Sequence, residues 1–361
     1  MRALLSFIVS TTSFGSSLLA GVVAAAEPFN SSPQVDDPIH TPAELVESMH
    51  SAFGYNHCRA VHAKGIILQG EFTPDTHAKE ITKAPHLQGP SSKVTVRFSD
   101  FSGVPTIPDN DPMANPRGMA IRFELPGGAS TDLAAHSFNG FPVSNTDDLR
   151  ELMLAIAASG PCAATPTALD RFLEFHPTAR AFLAAQKTPA SFATISYYGV
   201  GSFKFINANG EDHYVRYQLV PEAGEQLLTD EEREKQSANY LVDEIKARVA
   251  AAPIAFALYA QVAEHGDRIN DPSIAWPDNR KRVLLGRLEI KRLTANTAPK
   301  RTERSSSIQA MSRRESRLPI CCPVFIRRHS EYQRKKNEMS PLLRETEGLT
   351  KSRLKINEIV T

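Results

Sequence analysis

The sequence predicts an α+β fold in which antiparallel strands form a sheet or large barrel, with a helical insert and appended helices. Three observations favour this class. Short runs rich in β-branched and aromatic residues recur along the chain, turn signals and Pro-rich stretches separate them, and one central segment changes to helical spacing. Strands joined through hairpins pair antiparallel, and closing such a sheet into a barrel removes its edges.

Six strand signals account for most of the predicted sheet. They lie at residues 60–72, 94–99, 118–123, 196–198 with 202–206, 213–217 and 284–290. The fourth and fifth are joined by Asn207-Ala208-Asn209-Gly210, a hairpin signal. Four prolines between residues 105 and 116 confine the connection before the third strand to a loop.

Helix signals flank and interrupt these strands. Thr41 precedes Pro42 and Glu44, which predicts a capped helix start. Apolar residues at helical spacing predict a helical insert over 146–187, and a capping box at 229–232 opens a helix near 239–250. Residues 255–263 also have a helix-like composition.

The first 26 residues are predicted to be an export signal. Arg2 supplies the charged start, an apolar run follows, and Ala24 to Ala26 offer a small-residue cleavage site. The many hydroxyl residues in the run make a membrane anchor the weaker interpretation. We therefore expect a periplasmic or secreted protein whose main domain spans residues 27–295.

Charge is distributed unevenly along the chain. The formal net charge is only +1, which argues against nucleic acid or a membrane surface as the main partner. Residues 300–361 nevertheless hold 15 Lys and Arg against 7 Glu. Residues 296–361 form a divergent basic tail that is predicted to be disordered or to result from a frame error or misjoined exon.

His62 is the first candidate for chemistry, because Arg59 precedes it by three residues in a mostly apolar stretch. An imidazole titrates near neutral pH and can both take and return a proton. A lone histidine in an apolar strand is, however, more often a hydrogen-bonded core residue. The choice depends on the rest of the chain.

Several motifs, in order, resemble those of catalases. They are Arg59-x-x-His62-Ala63-Lys64-Gly65 with Gly70-x-Phe72, Val96-Arg97-Phe98-Ser99, Asn115-Pro116-Arg117-Gly118 through Phe123, Gly201 to Phe205, and Asp271-Pro272 with Trp276-Pro277 and Gly286. Within that superfamily the chain looks like the short, exported catalase-related haem peroxidases. The resemblance implies a catalase-type barrel that binds haem b, and it allows a homo-oligomer.

The resemblance also implies roles for particular residues. His62 would be the distal base, Arg59 and Arg97 would bind the haem propionates, and Val61 lies at a cofactor-binding position. The distal asparagine of catalases is replaced, since Ser137 falls on its position and Asn139 lies two residues further. Either could donate a hydrogen bond to peroxide, or be a turn or strand residue.

The resemblance also implies that the proximal iron ligand comes from the Arg-x-x-x-Tyr motif of catalases. Tyr332 with Arg328 is the matching pair near the C-terminus. A tyrosinate donates electron density to iron, and a neighbouring arginine keeps the phenol ionised. The pair lies within the anomalous tail, so either divergence preserved it or a frame error produced it by coincidence.

The resemblance predicts a haem-dependent peroxidase that reduces hydrogen peroxide or organic peroxides with small organic electron donors. A true catalase, which dismutates hydrogen peroxide, is one alternative. The other is a β-barrel protein without catalysis, with or without haem, in which the altered C-terminus has removed the activity.

Overall fold

The computed structural model describes residues 39–294, in which eight antiparallel strands close into a barrel. The strands are β1 (Gly65–Pro74), β2 (Ser92–Ser99), β3 (Gly118–Glu124), β4 (Ser130–His136), β5 (Tyr197–Ile206), β6 (Asp212–Pro221), β7 (Ile254–Val262) and β8 (Arg282–Leu293). Each strand pairs with the next one in the chain, and β8 pairs back to β1. The predicted antiparallel barrel is confirmed, with two more strands than the six expected.

Seven helices lie between or beside the strands of this described part. They are α1 (Pro42–Phe53), α2 (Ala78–Ile81), α3 (Thr146–Ala157), α4 (Ala168–Phe175), α5 (Pro177–Ala184), α6 (Asp230–Glu234) and α7 (Tyr240–Ala251). Thr41 and Glu44 form the predicted capping box of α1. Within residues 39–294 none of the helices combines the length and apolar character needed to cross a membrane.

Side chains alternate between the inside and the outside of the barrel. In β2, for example, Val94, Val96 and Phe98 are buried in the barrel core, and Arg97 and Ser99 point to the opposite face. A second apolar cluster joins α1, α3 and α4 with the loop before β1. The cluster includes Val61, the residue before His62, and packs against Phe101, whose ring contacts His62.

Three local predictions are wrong, each for a physical reason. The helix-like segment 255–263 is strand β7, whose buried positions alternate although its alanines and leucine favour a helix. Strand β1 begins only at Gly65, because the amides of His62 and Ala63 bond to another loop instead of a neighbouring strand. The third is the omission of β4, whose short alternating pattern contains two alanines.

The predicted export signal (1–26) and basic tail (296–361) lie outside the described residues. The hairpin at residues 207–210 is confirmed: the Asn207 side chain accepts hydrogen bonds from the amides of Asn209 and Glu211, and Gly210 adopts φ 85°.

Candidate functional site

His62 lies in the loop before β1, in an unusual backbone conformation. Its φ is 53°, a left-handed backbone value that residues other than glycine seldom adopt. Hydrogen bonds fix this conformation: the His62 amide donates to Phe101 O (2.7 Å) and the Ala63 amide donates to Ser102 O (3.0 Å). The loop is therefore anchored to the segment that follows β2, and the imidazole has a defined direction.

The imidazole ring is held on three sides. Nδ1 lies 3.1 Å from Ser99 Oγ, and the ring meets Phe101 edge-on with centroids 5.6 Å apart. The third side is Gly118 on β3, where a Cβ atom would lie 2.7 Å from His62 Nδ1. Since Ser99 occupies Nδ1, Nε2 is the nitrogen left to face a ligand.

The electrostatic surroundings keep His62 neutral. Burial, the positive charge of Arg97, His136 and the charge of Arg59 lower the pKa of His62 to about 3, against a smaller opposing effect of a hydrogen bond with the Asp100 backbone. An uncharged imidazole can accept a proton at any pH well above that value. His62 is thus available as a base throughout the neutral range.

Arg97 lies on the same outer face of the barrel as Ser99 and reaches across Gly65. Its Nη2 donates to His62 O (2.8 Å) and to Ala63 O (3.3 Å), and a Cβ on Gly65 would lie 2.7 Å from that nitrogen. Burial first, and then the nearby charge of Arg59, lower the pKa of Arg97 to about 9, with Asp100 opposing. Arg97 therefore holds the loop of His62 as well as supplying charge.

Arg59 and Arg97 form a pair of like charges that lacks a salt bridge. Across residues 39–294 neither guanidinium has a carboxylate within ion-pair distance. Burial also lowers the pKa of Arg59. Two adjacent, partly buried cations without a salt bridge are unfavourable alone, and their charges suit an anionic ligand such as a pair of carboxylates.

A buried ionic network supports the loop from behind. Lys64 Nζ contacts Asp109 Oδ1 (2.5 Å), whose other oxygen accepts from the amide of Leu241 (2.9 Å) in the first turn of α7. Arg117, which is 0% exposed, pairs with Asp100 and donates to Asp109 O. The network therefore ties the loop that bears His62 to β3 and to a helix outside the barrel.

Ser137 and Asn139 lie in a bend after β4 and not on a strand face. Ser137 is buried, and its Oγ accepts from the Arg117 amide (2.8 Å). The Asn139 side chain is half-buried and makes no hydrogen bond within the described part of the chain. Val61 is buried and packs in the cluster of α1 and α3. Their predicted roles stay predictions, as do those of His62, Arg59 and Arg97.

His136, the last residue of β4, is the residue that sequence reasoning missed. Both of its ring nitrogens are buried and have no hydrogen-bond partner among residues 39–294. Burial lowers its pKa to about 4. The alternation of Leu133 and Ala135 is the signal that could have identified its strand. His86 is also mostly buried, with a pKa lowered to about 4.

The predicted proximal pair, Arg328 and Tyr332, lies outside the described residues. The structure therefore shows one side of the candidate site: a neutral base, two cations and the network behind them.

A comparison with protein families identifies the family of this chain. A family model described as Catalase matches residues 56–297, about two thirds of the chain. The chain belongs to the catalase family. The matched residues include His62, Arg59, Arg97 and the whole barrel.

Two curated catalase relatives are similar over most of their length. One, from Synechococcus elongatus, is named catalase-related peroxidase and is 33% identical over 255 residues, covering 69% of this chain and 75% of the relative. The other has the same name, comes from Mycolicibacterium paratuberculosis, and is 35% identical over 255 residues, covering 69% and 80%. Catalase A from Saccharomyces cerevisiae shares the fold, with a TM-score of 0.58 at 20% identity. This chain spans about half (52%) of that catalase's length.

Catalase membership implies haem, and the described residues fit one side of it. A haem presents two carboxylates, which match the pair of cations lacking a salt bridge at Arg59 and Arg97. His62 would then lie on the distal side, with Val61 beside it. The residue that would bind the iron from the opposite side is predicted at Tyr332.

Proposed function

We propose that this protein is a haem-b-dependent peroxidase that reduces hydrogen peroxide or organic peroxides with small organic electron donors. The observation that carries the proposal is the neutral imidazole of His62, held through Ser99 beside two cations without a salt bridge. The names of the two relatives from Synechococcus elongatus and Mycolicibacterium paratuberculosis also support it.

In the proposed reaction His62 moves the proton. Its Nε2 takes a proton from one peroxide oxygen and returns it to the other, so that the departing oxygen leaves as water. The haem, when bound, supplies the oxidising and reducing chemistry that splits the O–O bond. Over one cycle with hydrogen peroxide, the donors give two electrons and two protons, and both oxygens leave as water.

Arg59, Arg97 and Val61 would bind the cofactor, and Tyr332 with Arg328 would supply the axial ligand. Arg97 has a second role, because its bonds to His62 O and Ala63 O orient the base. The ring contact with Phe101 and the close approach of Gly118 limit the freedom of the imidazole. These contacts keep the proton acceptor in one place during turnover.

The test uses the full-length protein and haemin. We expect a Soret band on reconstitution and hydrogen-peroxide-dependent oxidation of a small phenol such as guaiacol. His62→Ala should abolish turnover and retain the band, while the matched control His77→Ala, at an exposed position, should leave both unchanged. Rapid oxygen evolution without a donor would instead indicate a true catalase. Absence of a Soret band would contradict both enzymes and favour a barrel without catalysis.

The export of the protein is a separate proposal. Cleavage of residues 1–26 would deliver a mature chain that begins at Glu27 to the periplasm or the medium. Mass spectrometry of the protein from its native host tests this, because a mature form that retains Met1 would contradict it. Light scattering on the same material would show whether a homo-oligomer forms.

A further inference from the structure

His136 has a buried imidazole ring without a hydrogen-bond partner in the described part of the chain. Neither Nδ1 nor Nε2 has a hydrogen-bond partner anywhere in residues 39–294, and both atoms are shielded from solvent. A buried polar group without a partner is unfavourable, so such groups usually face a ligand or water. Both ring nitrogens are therefore available to bind a molecule that enters the site.

The sheet register places His136 next to His62. His136 pairs directly with Gly118 across β3 and β4, and directly paired residues point to the same face of a sheet. The His62 ring lies over that same Gly118, at the place that a Cβ atom would occupy. The two imidazoles are close enough for His136 to contribute to the lowered pKa of His62.

The structure places two phenylalanine rings against the imidazole of His136. Phe141 and Phe182 meet its ring edge-on, with centroids 6.1 and 6.4 Å away, and Phe138 packs on Phe182 at 4.8 Å. Burial lowers the pKa of His136, so the ring is neutral at physiological pH, with one nitrogen donating and the other accepting. Among the residues that the structure describes, no polar side chain satisfies either nitrogen.

We propose that His136 is a second substrate-binding residue, which donates a hydrogen bond to one oxygen of the peroxide while the other oxygen faces His62. The inference rests on the proposed peroxidase function and assigns to His136 the role that was predicted for Ser137 or Asn139. Ser137 already uses its hydroxyl to accept from the Arg117 amide (2.8 Å). A peroxide has two adjacent oxygens, and two imidazoles on one face match them.

The experiment measures cyanide binding to the haem-loaded, full-length protein through the shift of its Soret band. Hydrogen cyanide gives its proton to a base and its bound anion accepts a hydrogen bond, so it probes both histidines without turnover. His136→Phe should weaken cyanide binding roughly tenfold, the factor that one hydrogen bond typically provides. His136→Asn, whose amide nitrogen lies near the position of Nδ1, should stay within about threefold of the wild type.

The controls separate this role from its rivals. His86→Phe removes another mostly buried histidine. The His86 ring contacts Phe123 and not His62, so this variant should leave cyanide affinity unchanged. Asn139→Ala tests the competing amide and should also have no effect. His136→Leu replaces His136→Phe if the latter fails to fold. Wild-type affinity in the variant at 136, or a tenfold loss confined to Asn139→Ala, would overturn the inference. A wild-type protein without a Soret band would overturn the proposed function itself.

Discussion

The His62 ring lies directly against Gly118: a Cβ atom at residue 118 would approach both His62 Nδ1 and Ser99 Oγ to 2.7 Å. Real Cβ atoms do not approach neighbours this closely, so glycine is required for the imidazole and the serine to meet. The position of the base therefore depends on a residue of β3 that has no side chain.

Gly118→Ala is expected to displace His62 and lower peroxidase kcat/KM about 100-fold, the typical effect of moving a catalytic group by about 1 Å. The overpacking should also cost about 1–3 kcal/mol of unfolding free energy. Steady-state kinetics and urea unfolding measure the two effects. Gly160→Ala is the matched control, because nothing lies within 4 Å of its Cβ position. Equal kcat/KM in the two variants would contradict the claim that the position of His62 depends on glycine at residue 118.

Arg59→Gln and Arg97→Gln should each weaken haem binding about 10- to 100-fold, since each removes one charge-assisted contact to an anion. Arg97→Lys should retain much of the affinity, but lose turnover because lysine cannot reproduce the guanidinium geometry at His62 O and Ala63 O. Haemin titration and guaiacol oxidation separate the two effects. Arg287→Gln, which breaks an exposed pair with Glu222, should change neither quantity.

Arg117→Met should reduce the unfolding free energy by about 3–5 kcal/mol, because it leaves the Asp100 carboxylate buried and unpaired. Urea unfolding of the haem-free protein measures this change. Combining it with Asp100→Leu should recover part of the loss. Arg122→Met breaks a more exposed ion pair with Asp132 and should cost less than about 1 kcal/mol. A similar cost for both single variants would be evidence against the buried network.

Acid should destabilise the fold through its buried histidines. Burial lowers the pKa of His136 to about 4, whereas an unfolded histidine titrates near 6.5. Between these values the unfolded chain binds the extra proton, so stability falls as pH falls. In His136→Phe the dependence should be shallower by at most about 1.4 kcal/mol per pH unit. Urea unfolding at pH 5 and pH 7 measures the difference.

His77 provides the control for this pH effect, because its pKa shifts in the opposite direction. A hydrogen bond to Asp75 and the charge of that carboxylate raise the pKa of His77. The contribution of His77 to folding stability is therefore present at low pH and is lost as pH rises through the raised pKa. His77→Phe should make the acid destabilisation slightly steeper, and a shallower dependence would contradict the assignment.

Tyr332→Phe should abolish the Soret band of the reconstituted protein if Tyr332 binds the iron, because phenylalanine offers no oxygen ligand. Absorption spectra after addition of haemin measure this directly. Tyr259→Phe is the control, since Tyr259 lies on β7 beside Arg282. An unchanged spectrum in Tyr332→Phe would assign the axial ligand to another residue.

Parts of the fold were predictable because they depend on local hydrogen bonds. The hairpin at residues 207–210 and the cap at Thr41 follow from side chains that bond to their own backbone, so their sequence neighbours suffice. The segment at 255–263 could not be predicted from its own residues. Its strand conformation comes from pairing with β6 and β8, which outweighs the preference of alanine for helices.

The site was predictable only in part, because its geometry depends on distant contacts. His62 and its two arginines lie in contiguous motifs and could be predicted. The left-handed backbone of His62 is imposed by hydrogen bonds from the segment after β2, about 40 residues along the chain. The position of His136 depends on its pairing with Gly118, and the residues around 136 do not predict that pairing.

The pairing of β8 with β1 sets the order in which this protein can fold. Within residues 39–294 the other strand pairs join neighbours in the chain, whereas the contact between Lys291 and Glu71 spans 220 residues. Such a long closure carries the largest entropic cost and is expected to come last. The contacts that hold His62 come from residues 97–118, on or next to β2 and β3, so the base can be positioned before β8 closes the barrel.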